Sequence, residues 1–105
     1  MNADLSIADL LNAQTGRIGW GELARHFARG AVIRVAADED LIAVARLIVA
    51  DRAEEIERLY STRRLHRAQD DDARRWQEHD TEFWAVVVAP WVLVQEIPTD
   101  SNYSE

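Results

Sequence analysis

The chain has 105 residues, 48% of them hydrophobic, no cysteine, and a formal net charge of −7 from 19 acidic and 12 basic side chains. That apolar content supports a core without the metal or disulfide staples that domains below about 40 residues usually need. Disulfides, cysteine-ligated zinc, iron–sulfur clusters and thiol catalysis are excluded, and the acidic balance repels nucleic acid and anionic lipid at long range.

Every basic residue is Arg and none is Lys, a bias toward the planar fork that suits fixed ion pairs. The start, Met1 to Asp4, has no basic region followed by an apolar stretch, so no secretory signal is read there and the cytoplasm is the expected location. The longest apolar run, Phe83 to Val94, contains Pro90 and falls short of the roughly 20 residues of a membrane span. One domain over residues 1–97 is expected, followed by a flexible polar tail over 98–105.

In chain order, Ser6 and Asp9 fit a capping box for a short helix carrying Leu5, Ile7, Leu10 and Leu11. Gly16, Gly19 and Gly21 then read as a turn between helices. The alternative, a phosphate loop, lacks the preceding strand and the G-x-G-x-x-G spacing of a dinucleotide fingerprint. A second helix is predicted from Gly21 to Ala28, with Leu23, Ala24 and Phe27 on one side and Gly30 as its stop. Residues 31–36 (A-V-I-R-V-A) form a β-branched run, the first strand. Asp38, Glu39 and Asp40 place negative charge at the start of the next helix. The apolar periodicity that follows, Leu41 to Tyr60, is interrupted at Asp51-Arg52 and reads as two consecutive helices.

Residues 65–68 are a short strand, and Asp70, Asp71 and Asp72 open a helix to about Asp80 with Ala73 and Trp76 turned inward. The last element, 84–95, is apolar on both pleat faces, as expected of a central strand covered on both sides, with Pro90 at a bulge. A helix reaching Ala89 competes with it, but β-branched residues favour the strand. The fold class is therefore α+β: a small antiparallel sheet, with strands near 31–36, 65–68 and 84–95, packed against four or five helices.

No constellation of catalytic type stands out. His26, His66 and His79 lack H-E-x-x-H or paired spacing, and Asp70 to Asp72 lacks the alternating ligands of a calcium loop. No metal, cofactor or catalytic residue is assigned. The Arg cluster at Arg63, Arg64 and Arg67, with Arg74 and Arg75 nearby, is a locally basic patch. Carboxylates flank it within an acidic chain, so an intramolecular salt-bridge network is favoured over a nucleic-acid face. Four tryptophans in so small a chain point to the core or to a partner surface.

Two segments, L-N-A-Q-T-G-R-I-G-W-G-E-L-A-R-H-F-A-R-G (Leu11 to Gly30) and W-A-V-V-V-A-P-W-V-L-V-Q-E (Trp84 to Glu96), resemble a small bacterial family of unknown function. The aspartate-led helix after a V-I-x-V strand, Asp40-Leu41, is similar too. Gln14 departs from the acidic residue of that pattern, which removes support for a carboxylate role there. The resemblance implies a compact bacterial cytoplasmic protein and no particular activity.

Three functions are carried forward. The first is a non-enzymatic protein-interaction domain, a homodimer or a binder of another protein, with Trp84, Pro90, Trp91 and Val92 as its candidate interface. The second is a small-molecule- or metal-binding enzyme with a pocket near Trp20, Glu22, Trp76 and Glu96. The third is weak nucleic-acid binding through the Arg cluster. Neither catalysis nor a membrane partner is favoured.

Overall fold

The computed structural model describes residues 15–98. The helix expected around Leu5 to Leu11 and the tail beyond Pro98 lie outside the described residues. Within them the order is β1 (Gly16–Gly19), α1 (Trp20–Ala28), β2 (Val32–Val35), α2 (Leu41–Val49), α3 (Ala53–Ser61), β3 (Leu65–Arg67), α4 (Asp70–His79), β4 (Glu82–Val88) and β5 (Trp91–Glu96).

The helix boundaries have local causes. Gly30 stops α1 at φ 73°, a conformation that costs glycine little. The Asp40 carboxylate accepts from the Ile42 and Ala43 N–H groups, both at 3.1 Å, which satisfies two otherwise orphaned donors at the start of α2. Asp51, at φ 57°, separates α2 from α3 where the apolar periodicity breaks. In α4 the cap is Gln69 rather than the aspartates: Gln69 and Asp72 form a reciprocal capping box, with Gln69 N–H donating to Asp72 Oδ2 at 2.9 Å. The expectation of an acidic helix start holds, one residue later than the cap itself.

The strands form one five-stranded sheet in the order β1-β4-β5-β2-β3. The β1–β4, β4–β5 and β2–β3 pairs are antiparallel, whereas β2 and β5 run parallel. The fold is α+β, as expected, but the sheet is mixed and has five strands rather than three. Two strands were missed for separate reasons. Gly16 to Gly19 reads as a turn from its glycines, yet it pairs with β4 from Gly16↔Ala85 to Gly19↔Glu82; cross-strand bonding overrides the poor strand propensity. The run 84–95 is two strands, not one with a bulge. Ala89 and Pro90, joined by a cis peptide bond, make a turn between Val88 and its partner Trp91. Proline has no N–H to donate, and a loop position demands none.

Helices cover both sides of the sheet. On one side Ile33, Val35, Val86 and Leu93 pack against Leu41, Val44 and Ala45 of α2, with Ile56 and Leu59 of α3 closing the layer. On the other, Val32, Phe83, Val92 and Val94 meet Leu23 of α1 and Trp76 of α4. Strand β5 lies between the two layers, with Val92, Leu93 and Val94 all buried. That accounts for its continuous apolar sequence, as expected for a strand covered on both faces.

Candidate functional site

Side chains alternate across a strand, so Arg34 of β2 and Glu96 of β5 point to the α1/α4 side together with Val32, Val92 and Val94. His66 lies directly opposite Arg34 in the β2–β3 register, and Arg34 opposite Val94 in the parallel pair. Helix α4 crosses above this row and lowers Asp72, Arg75 and Trp76 onto it. The Glu96 Oε2 atom accepts three donors: Arg34 Nε at 2.8 Å, Arg75 Nη2 at 2.9 Å and the Trp76 indole Nε1 at 2.9 Å. Asp72 gathers Arg34, Arg75 and His66 at 3.7, 3.5 and 3.4 Å, and its Oδ2 completes the capping box.

This cluster balances two guanidiniums against two carboxylates, with the imidazole beside them. Trp76 is fully buried, so its N–H needs a partner, and Glu96 supplies one. Arg34 and Arg75 in turn hold Glu96 in place. Three donors crowd Glu96 Oε2, which leaves that oxygen poorly placed to take a proton from a substrate. The arrangement fastens α4 to β2 and β5. No buried side-chain nitrogen or oxygen among the described residues lacks a hydrogen-bond partner, and no group of three or more metal-ligating side chains forms there.

Of the four residues read as a pocket, three come together. The Trp20 and Trp76 rings lie 5.9 Å apart between centroids, and Trp76 bonds Glu96. Glu22 is exposed on α1 and lines a different groove, beside Ile18, His26 and Val87. The convergence is core packing continued by Trp76 against Phe83, 4.9 Å away. An open groove of about 570 Å³ adjoins the cluster, lined by Arg75, His79, Glu96, Ile97 and Pro98 among others.

The four residues read as an interface separate. Because β4 and β5 form a hairpin, Trp84 and Trp91 share the α2/α3 side of the sheet, while Val92 is 4% exposed on the opposite side. Val92 is therefore a core residue and offers nothing to a partner. Trp91 is half-buried, packed on the α2/α3 core with the Arg67 guanidinium 5.4 Å from its ring centre. Pro90 is exposed in the turn. Trp84, one strand in from the β1 edge, is 43% exposed, with the Arg17 guanidinium 6.0 Å from its ring centre. Arg17 also pairs with Glu82 at 2.7 Å. Sequence reading passed over Arg17 and Arg34 and took Asp72 only as part of a helix start, because only the strand register and the crossing of α4 place them.

Most of the Arg cluster, though largely exposed, bonds to groups of its own chain. Arg64 contacts Asp38 and Glu39 at 2.8 and 2.7 Å, and its hydrogen bond holds the Asp38 carboxyl below the usual carboxylate range. Arg67 donates to the Gly30 carbonyl at 2.8 Å, and Arg74 pairs with Asp71 at 3.3 Å. No helix among the described residues is long and apolar enough to cross a membrane.

The NMR solution structure of PA1075 from Pseudomonas aeruginosa is similar, with a TM-score of 0.79 and 38% sequence identity over 95% of this chain and 94% of that one. No curated protein matches the chain. Residues 6–96 match the family described as "Protein of unknown function (DUF2288)", so the chain belongs to the DUF2288 family.

Proposed function

We propose that this protein is a non-enzymatic interaction domain of the cytoplasm that associates with a second copy of itself. The exposure of Trp84 carries this reading. A large aromatic, 43% exposed on a sheet face with an Arg beside its ring, combines two residue types enriched at the centres of protein interfaces. The cluster around Glu96 supports the non-enzymatic part, since its charges satisfy one another. Sedimentation velocity from micromolar to near-millimolar protein tests the proposal: a species of twice 12.0 kDa is expected. A monomer over the whole range overturns it.

A second reading has one observation behind it, the open groove between Arg75 and Ile97. A guanidinium and a carboxylate beside an apolar wall suit a small ligand carrying both charges and an apolar part. Retention of an added mass in a native mass spectrum is the result expected of that reading, and a bare chain mass counts against it.

A further inference from the structure

Resting on the self-association reading, the geometry points to the outer edge of β1 as the surface that joins two copies. We infer an antiparallel β1–β1 pairing centred on Ile18 that makes one continuous sheet across both chains. Trp20 N–H donates to the Thr81 carbonyl at 3.1 Å, continuing the β1–β4 ladder. By antiparallel alternation Ile18 and Gly16 also turn their backbone groups toward β4, and Arg17 and Gly19 turn theirs outward. Among the described residues no strand pairs with that outer edge.

Symmetry and charge select the register. Side chains directly opposite each other in a sheet must share a face, so a two-fold contact centres on either Arg17 or Ile18. Centring on Arg17 sets two like charges opposite, which is unfavourable. Centring on Ile18 sets each Arg17 opposite the other copy's Gly19, and both are residues whose N–H and C=O face outward. Each such pair exchanges two backbone hydrogen bonds. Gly19 has Glu82 as its neighbour on β4, on the same face. The Arg17 side chain can therefore cross the bare Gly19 of its partner toward the partner's Glu82, exchanging for it the pair it makes with its own Glu82 at 2.7 Å. Nothing inside the chain requires glycine at 19: its φ is −98° and an added Cβ meets no atom within 4 Å. On the opposite face the two Ile18 side chains meet, each flanked by its own Phe83.

The other outer strand, β3, is a poor alternative. Arg63, Arg64, His66 and Arg67 lie in and beside its three residues, and an antiparallel copy would gather those cations together. Charge of this kind is a common protection for exposed edges. β1 carries a single Arg, and the proposed register keeps it beside a carboxylate, its own Glu82 or the partner's.

Two variants test the pairing in the full chain. Arg17→Pro removes an outward N–H and leaves the β4 ladder intact, as proline on an edge strand allows; Arg17→Ala controls for loss of the side chain. A dimer dissociation constant raised at least tenfold over Arg17→Ala, with unchanged far-UV circular dichroism, is expected. The cysteine-free background supplies the second test. Ile18 faces its own copy in a non-hydrogen-bonded pair with Cα atoms about 4.5 Å apart, within disulfide reach. Ile18→Cys should cross-link under mild oxidation, whereas Glu54→Cys on the exposed face of α3 should not. If Arg17→Pro does not fold, Ile18→Cys decides alone. A wild-type dimer whose Ile18→Cys variant stays uncross-linked overturns the β1 edge and leaves self-association standing. A wild-type monomer overturns both.

Discussion

Trp76 and Trp84 lie eight positions apart in sequence and in opposite physical situations. Trp76 is 0% exposed, wedged between Trp20 and Phe83, with its indole N–H donated to Glu96. Trp84 is 43% exposed, pairs with Gln95 across the hairpin, and has Arg17 beside its ring. The first region is closed: every charge in it has an opposite charge within reach, and the network holds a helix on the sheet. The second is open, on β4 beside the short edge strand β1. In this chain the charged cluster fastens a helix to the sheet, and the sparse Gly-rich edge is where we propose that a second copy fits.

Substitutions break that contrast from the largest effect downward. Trp76→Ala should cost about 3–5 kcal/mol, because a large ring leaves a cavity in the α1/α4 core. Urea unfolding measures it, and a loss under 1 kcal/mol would mean that the core is not organised around this ring. Glu96→Ala leaves two guanidiniums and a buried indole N–H short of an acceptor. We expect a loss of about 2–3 kcal/mol, reduced from the fully buried case because the cluster is partly open to solvent. For a chain of this size that corresponds to a melting temperature lower by roughly 10–20 °C. A melting temperature within a few degrees of wild type would free Glu96 for a functional role.

The Asp38–Arg64 contact carries a pH signature of known sign. The Asp38 carboxyl is held below its ordinary value of 3.8, first by the hydrogen bond from Arg64. A depressed carboxylate contributes stability above its unfolded pKa and loses it as pH falls through the lower folded value. The gap in melting temperature between wild type and Arg64→Ala should therefore be widest near neutrality and close below about pH 4. A gap that stays constant across that window would assign the Arg64 contribution to packing instead. The smallest effect on folding belongs to Trp84→Ser, within about 0.5 kcal/mol as for other exposed positions. Its effect on association should be the opposite in scale: a dimer weakened at least tenfold by sedimentation. Loss of folding stability without loss of association would reverse the roles assigned to the two tryptophans.

Local patterns carried much of the architecture. Glycine at position 30, the aspartate-led start at Asp40 and the break at Asp51-Arg52 act through bonds within a few residues, so they are readable without the fold. The β-branched runs at 31–36 and within 84–95 disclosed strands, and the apolar character of 84–95 on both pleat faces disclosed burial in the middle of the sheet. Partners distant in sequence decided the rest. The segment 16–19 is a strand because β4 lies beside it, and Pro90 belongs to a turn because Val88 pairs with Trp91. Trp20, Trp76 and Glu96 were legible as a group from residue type alone. Arg34 and Asp72, which complete the cluster, were not: a parallel strand register and a crossing helix bring them together from far apart in sequence.

By itself, then, the sequence determined composition, the absence of thiol chemistry, most helix limits and the α+β class, because these follow from short-range sterics, capping and periodicity. Tertiary structure alone decided the strand order, the separation of Val92 from Trp84, the closure of the charged cluster and, among the described residues, the place of β1 at the sheet edge. Register is the physical reason. A shift of one residue along a strand exchanges its two faces, and register is set by contacts that span the chain.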